Sequence, residues 1–178
     1  MVCGSWRDFI HDRLAAGHDG IWYWTAARGY VKAKQPWIAW IYYGLADELL
    51  RPASFATSTN LDRMRAEQTA AAPAELINGL GPDMPLVMKS ADGKSEFRFT
   101  SIVAGNSESG KQLRLTLHMN ADYMADVQAA KARNIAAATA LFDAHKDLRE
   151  GAFGNVWIFA DSTGNAPALT VQPMASIP

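Results

Sequence analysis

Near Pro82 the spacing of apolar side chains changes from every third or fourth residue to every second. A chain patterned this way is built for helices first and strands after. Upstream, "SWRDFIHDRLAAG" sets Trp6, Phe9, Ile10, Arg13 and Leu14 at helical spacing. Ser5 and Asp8 form a capping-box pattern at its start and Gly17 is a stop signal. "IWYWTAARGYVKAK" reads as a short strand or as a buried helix, with Gly29 weakening the helix. Pro36 suits the first turn of the next helix, whose face carries Trp37, Trp40, Ile41, Gly44 and Leu45, and Arg51–Pro52 ends it. Asn60 is placed to cap a helix over "LDRMRAEQTAAA", Pro73 interrupts that run, and "AELINGLG" adds a short one.

Downstream of Pro82, Asp92–Gly93 lies between two alternating runs, a hairpin signal. Phe97 and Phe99 point one way, Glu96 and Arg98 the other. Leu113, Leu115 and Leu117 alternate with Arg114, Thr116 and His118, as in a sheet with one wet face. A long helix follows, capped by Asn120, favoured at its positive end by Asp122 and closed by Gly151. Nearly thirty residues would make it about 40 Å long. "NVWIFADSTGNAPALTVQPM" reads as two strands, and the first is apolar on both faces, which places it centrally. The expected fold is therefore α+β. Residues 1–81 form a helical, aromatic-rich region, and residues 82–178 an antiparallel sheet of about five strands, order β-β-β-α-β-β, covered by one long helix. The two parts are expected to pack as one compact unit. This order of elements resembles the general plan of secretion-chaperone-like folds, a likeness of topology, and a fold does not dictate a function.

Composition removes several function classes. A chain of 178 residues, 49 % hydrophobic and 20 % charged, buries a sizeable core without disulfides. A net charge of −1 supplies no field to steer DNA or an anionic lipid surface, so nucleic acid is not expected as a partner. The single cysteine, Cys3, rules out an internal disulfide and suits a reducing compartment. The N-terminus lacks the pattern of a secretory signal. The most apolar run, "PWIAWIYYGLADELL", is broken by Asp47 and Glu48, whereas a membrane span needs about 20 apolar residues. A soluble cytoplasmic protein is the expectation.

The stretch from Gly20 to Gly44 concentrates Trp22, Tyr23, Trp24, Tyr30, Trp37, Trp40, Tyr42 and Tyr43. Such rings serve as core anchors or as a docking surface. A helix with aromatics on several faces cannot hide all of them against one neighbour. The leading expectation is a non-enzymatic protein-binding module: a chaperone, an inhibitor or immunity-like partner, or an assembly subunit. Its contact candidates are Trp22, Trp24, Trp37, Trp40 and Tyr43, and its partner is another protein or a second copy of itself. Arg28, Lys32 and Lys34 interleave the rings in a way that can stack bases, a reading the overall charge opposes.

The alternative is a small cysteine-dependent hydrolase or transferase with Cys3 as nucleophile and His11 or His18 as base. "CGSW" resembles, over four residues, the region around a papain-type nucleophile, and it lacks that pattern's second cysteine. His11–Asp12 and His18–Asp19 recur seven residues apart, which matches no zinc-site spacing. "GNSESGK" lacks P-loop spacing. No metal and no cofactor are expected.

Overall fold

The computed structural model describes residues 14–51, 58–107, 110–119, 126–149, 153–161 and 168–178. The helix expected over "SWRDFIHDRLAAG" falls mostly outside them. Its last residues form a tight turn, in which Ala15 and His18 exchange backbone hydrogen bonds and Gly17 adopts φ 79°. Gly17 thus shapes the entry to the next helix, a place where a left-handed backbone favours glycine.

Three helices come first. α1 spans Gly20–Lys32, so the ambiguous aromatic run is helical, and the Asp19 side chain accepts from the Trp22 N–H at 2.8 Å to cap it. α2 spans Pro36–Leu50, with proline in its first turn as the sequence implies. α3 spans Thr59–Ala70. Its cap is Ser58, not Asn60: the Ser58 hydroxyl accepts from the Leu61 N–H, and Asn60 already lies in the first turn. Hydrophobic burial and two carboxylates, Glu67 and Asp47, tie these helices together. Tyr23, Ile38, Tyr42 and Met64 are fully buried among them.

The strands are β1 (Leu86–Lys89), β2 (Glu96–Ser107), β3 (Gly110–His118), β4 (Asn155–Asp161) and β5 (Ala168–Pro173), in that spatial order. Asp92 and Gly93 make the β1–β2 turn, with Gly93 at φ 69°. The β1–β2, β2–β3 and β4–β5 pairs are antiparallel, while β3 and β4 run parallel. The sheet is the expected one of five strands, antiparallel except for that single parallel pair. The helix between β3 and β4 returns the chain to the end where β3 began, and a crossover of that kind produces parallel neighbours.

That crossover helix, α4, spans Val127–Ala144 and is shorter than the sequence pattern suggests. Asp126 caps it by accepting from the Gln128 and Ala129 N–H groups. The expected caps Asn120, Asp122 and Gly151 lie outside the described residues. At His145 the backbone leaves helical geometry, and a single 3-10 turn, Lys146–Leu148, follows. The helix is about 27 Å long instead of about 40 Å. Its buried alanines, among them Ala137 and Ala138, let it lie close to the strands. It touches β1, β4 and β5 and so reaches both sheet edges, while α2 packs on β2.

Both helices cover one face of the sheet. Phe97, Phe99, Ile102, Leu113, Leu115, Leu117, Val156 and Ile158 fill the space beneath them. A bulge at Thr100 shifts the β2 alternation by one, so that Phe99 and Ile102 both face inward. One cluster of buried side chains runs continuously from α1 through α2 and the sheet to α4.

Candidate functional site

The sequence nominates the rings of α1 and α2, and the structure divides them. Trp37 and Tyr43 are buried. Trp37 sits against the His145 ring at 4.3 Å, and its backbone N–H donates to the Asp147 carboxylate. Trp40 is half-buried, and its carbonyl accepts from Gln68. Trp24 is half-buried beneath the Arg28 guanidinium, 4.3 Å from its ring. Of the five candidates Trp22 alone is classed as exposed, at 38 %, and the His18 ring stacks on it at 3.8 Å.

One carboxylate joins all three helices of this lobe. Glu67 of α3 accepts from Arg28 at 2.6 and 2.7 Å, from the Trp24 indole at 2.8 Å and from the Tyr43 hydroxyl at 3.3 Å. The Arg28 hydrogen bonds, helped by those of Trp24 and Tyr43, outweigh burial and hold its carboxyl down at about 2. The rings nearest to it thus serve a structural clamp between α1, α2 and α3.

On the other side of α1, the Lys111 ammonium lies 4.7 Å from the Trp22 ring centre and 5.3 Å from that of Tyr42. It donates to the Tyr42 hydroxyl at 3.1 Å. Burial lowers its pKa, and burial also raises that of the Tyr42 phenol. The lysine joins the end of β3 to the helical lobe.

Of the residues nominated for cysteine chemistry, Cys3 and His11 lie outside the described residues. His18 stands on Trp22, at the entry to α1. Among the described residues no three His, Cys, Asp or Glu side chains cluster in a way that could hold a metal ion, and no helix is long and apolar enough to cross a membrane.

A further apolar surface lies on the opposite face of the sheet, which sequence reasoning missed. Arg114 pairs with Trp157, Thr116 with Phe159, Trp157 with Val171 and Phe159 with Leu169. Across the β2–β3 pair, Val103 stands opposite Arg114. These residues alternate with the buried set and therefore project away from α2 and α4. Val103 is 46 % exposed, Leu169 50 % and Val171 45 %, while Trp157 and Phe159 are half-buried. The result is an apolar row across β2, β4 and β5, interrupted in β3 by Arg114 and Thr116. At its far end His118 faces Asp161 at 3.6 Å and Arg98 faces Glu96 at 3.1 Å.

The row continues around the outer edge of β5. There a groove of about 400 Å³ is lined by Val127, Ala130 and Lys131 of α4 and by Leu169, Thr170, Val171 and Gln172. At the floor of this edge, the Asn134 amide donates to the buried Thr170 hydroxyl at 3.0 Å and ties α4 to β5. The Trp157 signal was present in the sequence: the wet face of β3 and the two-faced apolarity of β4 conflict once the strands are paired.

No family model, curated protein or solved structure matches the chain.

Proposed function

We propose that this chain is a non-enzymatic protein-binding module that docks another polypeptide on the face of its sheet turned away from α2 and α4. The observation that carries the reading is the exposed row of Val103, Leu169 and Val171 beside half-buried Trp157 and Phe159. Scattered apolar residues on a surface need no explanation, but Trp157, Phe159, Leu169 and Val171 adjoin one another across β4 and β5, with Val103 beyond Arg114. Aromatic side chains at such a row supply contact area at low entropic cost. Among the described residues no strand pairs with the outer edge of β5, and its sequence, ALTVQP, carries no charge to deter one.

The helical rings contribute less than their number suggests. Trp37 and Tyr43 support the fold, and Trp24 belongs to the Glu67 clamp. Trp22 and its chain neighbour Ile21 are exposed.

The test places a photo-crosslinking amino acid at Leu169 and, in separate chains, at Ile21 and Ile77, which are 61 % and 70 % exposed. Irradiation in native lysate is followed by mass-spectrometric identification of adducts. The expected result is one dominant polypeptide from position 169 and background from position 77. Identification of the chain itself would make the partner a second copy. Recovery from position 21 with none from 169 would move the surface to the helices and refute the sheet-face reading.

A further inference from the structure

On the same open face, one stride from Trp157, Gln112 is 1 % exposed, and neither its amide nitrogen nor its amide oxygen has a hydrogen-bond partner. Lys111 reaches into the covered side to meet Tyr42, so the alternation of β3 sends Gln112 to the open side with Arg114. The Arg114 Nε is likewise buried without a partner. Two adjacent polar groups left unsatisfied are uncommon in a native interior and call for a reason.

The arginine is unusual in a second way. Arg28, Arg51, Arg63, Arg65 and Arg98 each face a carboxylate. Among the described residues Arg114 faces none. Its side chain instead lies flat across Gly105, which is the register partner of Gln112. A Cβ at position 105 would stand 2.3 Å from the Arg114 Nε and 2.9 Å from its Cδ, so only glycine leaves room for this posture. The guanidinium also approaches the Trp157 ring, 5.8 Å from its centre.

We propose that Arg114 and Gln112 form a carboxylate-binding point within the open face, and that the segment docking there brings an acidic side chain flanked by apolar ones. Guanidinium presents paired donors that match the two oxygens of a carboxylate. The Gln112 amide adds a donor for the carboxylate and an acceptor for a backbone N–H beside it. Trp157, Val103 and Val171 surround the point with apolar surface, which excludes water and strengthens a charged hydrogen bond. The acidic groups at the far end of the face are turned to His118 and Arg98 and do not compete for Arg114. In the resting chain Arg114 covers Gly105; on docking it lifts toward the incoming carboxylate.

The proposal rests on the docking reading of this face, and its test separates the two. Benzoate, with benzamide as its uncharged match, is titrated into the full chain while nitrogen–proton NMR follows the Gln112 side-chain amide and the Arg114 Nε–H. Both signals should shift together and saturate with benzoate, with benzamide at least about tenfold weaker, as expected when a charge-assisted bond is lost. Arg114→Met should weaken benzoate by about tenfold or more. Gln112→Leu should weaken it too, while raising the thermal midpoint because an unpaired amide leaves the interior. Benzoate that moves neither signal, or binds Arg114→Met as tightly as the parent, overturns the proposal. Saturable benzoate binding without crosslinking at Leu169 would sink the docking reading alone. Crosslinking without a benzoate response would sink the carboxylate point alone.

Discussion

Replacing Glu67 by glutamine removes one charge from the clamp that joins α1, α2 and α3 and leaves its size unchanged. In the folded chain the Glu67 carboxyl titrates at about 2, against an ordinary 4.5, chiefly because of the Arg28 hydrogen bonds. A difference of about 2.5 units corresponds to about 3 kcal/mol of preference for the charged form. The Glu67 side chain is 26 % exposed and that of Arg28 40 % exposed, so solvent screening reduces this to about 2 kcal/mol. A depressed carboxyl pKa stabilises the fold above the unfolded value, and the gain disappears as pH falls from about 4.5 toward about 2. Urea unfolding of the parent and Glu67→Gln, followed by circular dichroism, should therefore show a gap of about 2 kcal/mol at pH 7. The gap should narrow steadily below pH 4.5. A gap under about 0.5 kcal/mol at pH 7, the scale of an ordinary exposed pair, would refute the clamp. So would a gap that stays constant down to pH 3, because the glutamine would then be acting through packing and not through charge.

Three further substitutions probe other joints of the fold. Burial lowers the His145 pKa against the opposing charges of Glu75 and Asp147, and its Nε2 is buried without a partner. The unfolded chain therefore takes up the proton more readily, and stability is full above about 6.5 and declines below it; the thermal midpoint of the parent should fall more between pH 7 and 5 than that of His145→Gln. Gly20→Ala would set a Cβ 2.5 Å from Leu50 Cγ and 3.1 Å from the Ala46 carbonyl oxygen. Alanine's better helix propensity cannot offset that crowding between α1 and α2, and a loss of about 1–3 kcal/mol in urea unfolding is expected. Asp126→Ala removes the acceptor for two N–H groups at the start of α4 and should cost about 1 kcal/mol by the same assay.

Local patterns made much of the fold legible. Proline at the start of α2, the Asp92–Gly93 turn and the alternating leucines of β3 each act within a few residues, so each can be read without knowing the rest of the chain. The element order in the second half follows from the same signals. What stayed hidden was set by contacts distant in sequence. The rings of α1 and α2 look like a surplus until α3 brings Glu67 to Trp24 and Tyr43, across 43 and 24 residues. Burial of Trp37 depends on the turn after α4, more than a hundred residues away.

The strand β4 shows why the candidate site was missed. "NVWIFA" is apolar on both faces, and that composition ordinarily means a strand covered on both sides. β4 is indeed an interior strand, with β3 and β5 as its neighbours. Yet its parallel register with β3 sets Trp157 beside Arg114 and Phe159 beside Thr116, on the side away from α2 and α4. Neither strand alone reveals a conflict: the β3 pattern describes a wet face and the β4 pattern a dry one. Pairing them makes one surface both, and a polypeptide docked on that face, as proposed, would resolve the contradiction. The same logic accounts for Gln112, whose unpaired amide is costly in isolation and useful at a contact. The strand that violates its own pattern is thus where function is to be sought, because local rules are relaxed where a partner supplies the missing contacts.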